Sequence, residues 1–354
     1  MTSERPDAVR IGILGAGFVS RYFMQAMRHV PGQAVTGLFT RDRTKGGAFA
    51  EQWNIPFVTS DPKEFAQRDD IDLYAIGLPN HVHAKAAITL AEQGRNVLCT
   101  KPLARNAAEA LEMLAAVEQH KVFHGYLEPE VFLPALVKAK EMIDGGAIGK
   151  VHMVRGREAH FGSQARDNWD PELCGGGPLL STACHPISGA RYLMDKKKVV
   201  RVFAWGGKLV HKHEKIEDND LMLMEFEDGT IGQIEASWST RGGMDLLTEI
   251  YGDKGRIAFN PSLTGTMSAF SVQSADDVAE KVEVPVGWLR PIPEEAFTYG
   301  YVGQFAHMVE CFRNGSRPRE DFHDGYIVNQ IISAGYQSME KGAWVDVEYR
   351  KRLR

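Results

Sequence analysis

Three stretches of this 354-residue chain have the residue types and spacing to do chemistry. The first is Gly15-Ala16-Gly17, set between apolar Ile11, Ile13 and Leu14 and a run Phe18-Val19-Ser20 that opens a helix. A first glycine there permits a tight turn. A second lets the backbone approach a pyrophosphate, and the helix start offers unpaired N–H groups to the anion. Ser20 stands where a third glycine is customary, and is small enough for close helix–strand packing. The second stretch is Thr40-Arg41-Asp42-Arg43. A hydroxyl followed by arginine suits the 2′-phosphate of NADP, while Asp42 keeps the ribose hydroxyls of NAD in play. The third is a set of strand ends, Leu78-Pro79-Asn80, Thr100-Lys101-Pro102 and Tyr126.

Those stretches need a scaffold, and the apolar patterning supplies one. Runs at 9–14, 34–40, 71–76, 97–99 and 122–126 read as buried strands, with helical segments between them. Asp61-Pro62-Lys63-Glu64 and Asn106 with Glu109 are helix starts of the capping-box kind. Strand and helix alternating this regularly predict an α/β, doubly wound parallel sheet, whose ligand lies beyond the carboxyl ends of the strands. From about residue 128 the pattern changes. A helix over 129–144 is followed by candidate strands at 151–161, 199–210, 221–226, 231–238, 246–251 and 256–259, and by helices over 303–314 and 324–341. Asp228-Gly229 marks a hairpin, so an α+β domain with a large, mostly antiparallel open sheet is expected. The expected domains are thus 1–127 and 128–354.

Composition excludes several classes of function. A hydrophobic fraction of 44% with 25% charged residues is that of a globular protein in water, and 354 residues exceed what one core usually organises. The net charge of −5 gives no basic footprint for nucleic acid. No apolar run has the length of a membrane span, and the polar first eight residues lack the apolar core of an export signal. Cys99, Cys174, Cys184 and Cys311 are scattered without a CxxC pair, which points to a reducing cytoplasm and against structural zinc. His211-Lys212-His213 reads as a solvated turn, so no metal is called for.

GAGFVS, Leu78-Pro79-Asn80-His81-Val82-His83, Val97-Leu98-Cys99-Thr100-Lys101-Pro102-Leu103, Gly145-Gly146-Ala147-Ile148-Gly149, Gly175-Gly176-Gly177 and Cys184-His185 follow one another across nearly the whole chain. In order and spacing the chain resembles the glucose–fructose oxidoreductase/inositol dehydrogenase (Gfo/Idh/MocA) family of sugar oxidoreductases. The resemblance implies an N-terminal Rossmann domain and a C-terminal sheet through which a homo-oligomer, a dimer or tetramer, forms. It implies an NAD(P)-dependent oxidoreductase moving a hydride between the nicotinamide and a secondary alcohol or ketone of a sugar or polyol. The cofactor contacts expected are Gly15, Gly17, Phe18, Val19, Thr40, Arg41, Leu78, Pro79, Asn80, His83, Thr100 and Lys101, with NADP favoured over NAD.

The catalytic lysine of the family lies in a Glu-Lys-Pro motif, which here is Thr100-Lys101-Pro102. Its second signature places an aspartate four residues before a histidine; here Ser181 precedes His185. Two carboxylates are therefore missing from the expected site. Without them both bases are expected to lose protons more readily, which makes His185 the proton acceptor and leaves Lys101 to orient the substrate oxygen. Lys101, His160, Trp169, Ser181 and His185 form the expected substrate set, Trp169 by stacking on a ring face or on nicotinamide; Arg157, Arg166 and Asn168 belong to the same polar stretch. Two alternatives follow from the missing acids: a sugar lyase or glycoside-cleaving enzyme that retains its cofactor, and a cofactor-binding regulator without catalysis.

Overall fold

The computed structural model describes residues 8–163, 165–212, 214–265, 267–274, 281–282 and 286–349. They form two compact units, one of the described residues within 8–128 and 301–326, the other of those within 129–300 and 327–349. The first unit holds six parallel strands, β1 (Val9–Leu14), β2 (Gln33–Phe39), β3 (Phe57–Thr59), β4 (Leu73–Ile76), β5 (Asn96–Thr100) and β6 (His124–Leu127). Their order is β3-β2-β1-β4-β5-β6. Helices α1 (Phe18–Met27), α2 (Arg43–Trp53), α3 (Pro62–Ala66), α4 (His83–Glu92) and α5 (Ala107–Gln119) make the crossovers. The strands are near-continuous apolar runs because helices cover both faces: Ile11, Ile13, Leu73, Tyr74, Val97 and Leu98 are fully buried. Order reverses between β1 and β4, which opens a crevice at their carboxyl ends.

The second unit begins with α6 (Pro134–Asp144) and β7 (Val151–Ala159), then short helices α7 (Pro171–Cys174) and α8 (Pro178–Ser181) and the longer α9 (Cys184–Leu193). Strands β8 (Val199–Gly207), β9 (Asn219–Phe226), β10 (Ile231–Ser237), β11 (Asp245–Gly252) and β12 (Gly255–Phe259) follow. A two-stranded ribbon, β13 (Ala269–Ser271) and β14 (Gly287–Leu289), and α10 (Glu295–Thr298) precede the return to the first unit. The chain ends with α11 (Tyr301–Asn314), α12 (Phe322–Lys341) and β15 (Val345–Asp346). The large sheet runs β12-β11-β7-β10-β9-β8-β15, antiparallel except for the pair β7–β10. The hairpin at Asp228-Gly229 forms as expected, Gly229 taking φ +82°. Alternation along β9 sends Met222, Met224 and Phe226 into the core with Leu179, Leu180 and Ile187, and leaves Leu221 and Leu223 exposed.

One expected boundary needs correction. The break falls at 128/129, one residue beyond the expected 127/128, and residues 301–326 belong to the first unit. The physical reason is the apolar stripe of α11. Phe305 packs edge-to-face on Phe23, Tyr301 stacks on Tyr22, and Met308 lies against the space left by Gly125 on β6.

Candidate active site

In the first unit, parallel register brings the carboxyl ends of β1, β2, β4 and β5 to one edge. Gly15 follows β1 at φ +108°, and a Cβ there would lie 2.6 Å from the Gly77 carbonyl oxygen, so only glycine makes this turn. Gly17 caps α1 without a side-chain hydrogen bond, and no atom lies within 4 Å of where its Cβ would be. The space before the first turn of α1 is therefore open to backbone N–H groups, which is the donor set a pyrophosphate requires. Ser20 is fully buried against Gly77 at the end of β4, the close packing that a third glycine would otherwise allow. Phe18 is half-exposed beside the turn.

After β2, Thr40 is buried and its methyl occupies the place a Cβ on Gly46 would need. Asp42 is the N-cap of α2, its carboxylate accepting from Thr44 N and Lys45 N, both at 3.0 Å. Arg41 is exposed, and Arg43 Nε donates to Ser60 Oγ at 3.2 Å.

Two loops follow β4 and β5, and His83 ties them together. The ring is fully buried; Nε2 lies 2.7 Å from Leu78 O, and Nδ1 lies 3.1 Å from Pro102 O and 3.3 Å from Leu103 O. Burial lowers its proton affinity, with the three carbonyls opposing. The enclosed ring ties Leu78 to the loop that carries Lys101 and Pro102. Lys101 is half-buried directly after β5, with Thr100 buried behind it.

In the second unit, the glycine triplet is explained by what presses on it. A Cβ on Gly176 would lie 2.1 Å from the Tyr336 hydroxyl, and one on Gly177 would lie 2.4 Å from Glu217 O. Glu217 Oε1 accepts from Gly177 N at 2.9 Å and from the Tyr336 hydroxyl at 2.7 Å. This anchors the start of α8. Thr182 then accepts the indole N–H of Trp238 at 2.9 Å, and His185 N donates to Thr182 O at 3.2 Å. His185 thus enters α9 at its first turn.

β7 lies under α9. Its buried face carries Val154, Gly156 and Glu158, and the missing side chain of Gly156 makes room for Pro186. His185 Nε2 lies 3.7 Å from Glu158 Oε2, with both side chains almost wholly buried. Glu130, in the 3-10 turn Pro129–Phe132, joins them, so that one donor atom of each residue lies within 4.8 Å of the others. The expectation of an acid-free histidine is overturned. Position 181 is serine, its Oγ donating to Gly177 O at 3.1 Å, but a carboxylate reaches His185 from β7. A signal for Glu158 was present: it falls in the in-facing register of an otherwise apolar strand face.

Trp169 is 7% exposed in a small cluster with Cys174, Ile216 and Trp238. Its ring meets Trp238 edge-on at 4.7 Å and His211 at 4.8 Å, and its N–H donates to Ser163 O at 2.9 Å. These contacts fix the Trp169 ring against Trp238 and His211. His160 is buried, stacked at 6.2 Å on Trp238. Arg157 points to the face of β7 opposite Glu158, bridging Glu235 and Asp245. Arg166 is exposed and paired with Glu214, and Asn168 donates to Ser163 Oγ. His211 contacts Trp238 O at 2.9 Å, while His213 lies outside the described residues.

Comparison with known proteins gives two family matches. Residues 9–126 match an oxidoreductase family with an NAD-binding Rossmann fold, and residues 136–258 match the GFO/IDH/MocA C-terminal domain. The chain is 28% identical to a levoglucosan dehydrogenase of Pseudarthrobacter phenanthrenivorans, over 96% of its own length and 98% of the relative's. It is 31% identical to a trans-1,2-dihydrobenzene-1,2-diol dehydrogenase of Xenopus laevis, over 71% and 74% respectively. Among solved structures it is similar to GenD2 from gentamicin A biosynthesis in complex with NAD. There the TM-score is 0.90 with 26% identity, covering 97% of each chain.

Proposed function

The chain belongs to the Gfo/Idh/MocA family of NAD-binding oxidoreductases, and from that premise we propose that it transfers a hydride between a nicotinamide and a carbinol carbon of a sugar or polyol. The observation that carries this reading is the open carboxyl edge of the parallel sheet, where Gly15, Gly17 and the start of α1 present bare backbone. The relative named for levoglucosan supports a carbohydrate substrate. When bound, NAD(P)+ accepts the hydride from the carbinol carbon. Lys101 orients the substrate hydroxyl through its ammonium, and the His185 imidazole takes the hydroxyl proton. Ser181 and His160 help shape the substrate side.

NADP is the favoured cofactor. The Asp42 carboxylate is engaged in capping α2, which leaves Thr40 and exposed Arg41 to meet the ribose. A homo-oligomer is favoured by the outer face of the large sheet. Trp205 pairs in register with Leu221 and Phe203 with Leu223, and Trp205, Leu221 and Leu223 are exposed. The cytoplasm is favoured because all four cysteines are buried thiols outside any disulfide. No helix among the described residues is long and apolar enough to cross a membrane.

The test is a panel of sugars and polyols, levoglucosan and myo-inositol among them, followed by nicotinamide absorbance with NAD and NADP supplied separately. Net formation of reduced cofactor, lost in Lys101→Ala and in His185→Asn, is the expected result. Product without net reduction would replace this reading by the lyase with a retained cofactor. Cofactor binding with no turnover of any sugar, and no effect of either substitution, would replace it by the regulator.

A further inference from the structure

We propose that Glu158 is the positioning residue for His185, so that strand β7 supplies the carboxylate that position 181 lacks. The inference rests on the reading of His185 as proton acceptor. It begins with strand register. Along β7 the residues facing α9 are Val154, Gly156 and Glu158, and the register partners of Glu158 are buried Ala236 on β10 and Leu246 on β11. A carboxylate in that row is surrounded by core, and nothing in the packing of the sheet calls for it. What faces it is an imidazole. Bare Gly156 seats Pro186 on the strand, and the residue before Pro186 is then held with its Nε2 against Glu158.

The chemistry follows from the pairing. In alcohol oxidation the C–H bond breaks with its electron pair going to the nicotinamide as hydride. The O–H bond breaks as an N–H bond forms on the His185 ring. The ring becomes a cation inside a buried site, where an uncompensated charge is costly. The Glu158 carboxylate faces that cation and balances it, while its contact with Nε2 fixes the ring plane. Within the second unit the titratable groups gathered at the ring are Glu158 from β7 and Glu130 from the turn Pro129–Phe132, with Cys184 adjacent on α9. Ser181 contributes no charge, its hydroxyl being directed to Gly177 O.

The test uses the full chain with 13Cε1-labelled histidine, the His185 resonance being assigned by its loss in His185→Asn. No substrate is needed. In Glu158→Gln the titration midpoint of His185 is expected to fall by about one pH unit or more, because the anion favouring the imidazolium is gone. NADH binding, read by fluorescence, reports that the first unit is intact. If Glu158→Gln does not fold, Glu158→Asp, with its charge drawn back by one methylene, is expected to give a smaller fall. A midpoint that does not move in the folded variant overturns the pairing. Turnover of the sugar and polyol panel separates the two readings. A shifted midpoint in a chain that oxidises none of them sustains the pairing and sinks the dehydrogenase. Oxidation lost in His185→Asn but kept in Glu158→Gln sinks the pairing alone.

Discussion

The Cβ that Gly156 lacks would sit 2.6 Å from the Cβ of Pro186. That close approach is what lets α9 rest on β7 with His185 beside Glu158. In Gly156→Ala the helix must shift by a methyl's width, an overpacking expected to cost about 1–3 kcal/mol of stability. Activity should fall further than stability alone explains, since the His185–Glu158 distance opens while the NADH site in the first unit is untouched. Chemical denaturation, NADH binding and kcat measured on one preparation check this. Unchanged kcat in a destabilised variant would show that the approach serves packing only.

How much of this could be read beforehand depended on how local the cause was. The parallel sheet followed from strand and helix alternating over the first 128 residues, because each βαβ unit is written in contiguous sequence; the strand order that reverses between β1 and β4 was not written there. The hairpin at Asp228-Gly229 and the caps at Asp61 and Asn106 were equally local. The glycine triplet was visible as a motif but not as a cause, since the hydroxyl that forbids a side chain at Gly176 comes from Tyr336, far along the chain. The return of 301–326 to the first unit was hidden for a similar reason: the apolar stripe of α11 shows that it is buried without naming Tyr22 and Phe23 as what buries it. Glu158 lay between the two cases. Its in-facing position was legible from alternation, whereas its neighbour was fixed only by how α9 crosses β7.

Asp42 caps α2, and the proposed reading leaves the 2′-phosphate of NADP to Arg41. Asp42 holds two N–H groups at the start of α2, so Asp42→Ala should lower stability by about 1 kcal/mol. It should leave the ratio of NADP to NAD affinity where it was. Arg41→Ala should do the reverse, weakening NADP roughly tenfold, or about 1.4 kcal/mol, with NAD binding and stability unchanged. Fluorescence titration with NADPH and NADH reads both. Loss of NADH affinity in Asp42→Ala would mean that the carboxylate leaves its cap to hold the ribose, and would make NAD the natural cofactor.

His83 gives the first unit a pH dependence of definite sign. Burial holds its folded pKa below the ordinary value of 6.5, opposed by the carbonyls of Leu78, Pro102 and Leu103. Well above pH 6.5 the ring is neutral in both folded and unfolded chains and contributes no slope. As pH falls through that value the unfolded chain takes the proton and the fold does not, so the unfolded chain binds more protons and stability decreases. Melting temperature should therefore drop between about pH 7.5 and about pH 5.5. In His83→Gln that portion of the drop should vanish, together with some stability at every pH from the lost tie between the two loops. An equal acid slope in both proteins would assign it to other groups.

Asp220 has the opposite sign and sits in the second unit. It lies on β9 close to Glu217, whose carboxylate is already held by Gly177 N and the Tyr336 hydroxyl. Burial first, and then the charge of Glu217, push the Asp220 carboxyl well above the ordinary value of 3.8. The folded chain consequently keeps a proton that the unfolded chain gives up. Stability from this group is complete below pH 3.8 and is lost as pH rises towards the folded pKa. Asp220→Asn keeps the shape and removes the titration. The variant should melt higher than the parent at about pH 8, and the difference should shrink on going to about pH 5. The same lost charge relieves Glu217, so the anchor on Gly177 N stays in place and kcat should change little. Should Asp220→Asn melt lower by the same amount at both pH values, the carboxylate would be ionised in the fold and held by a partner worth more than its burial costs.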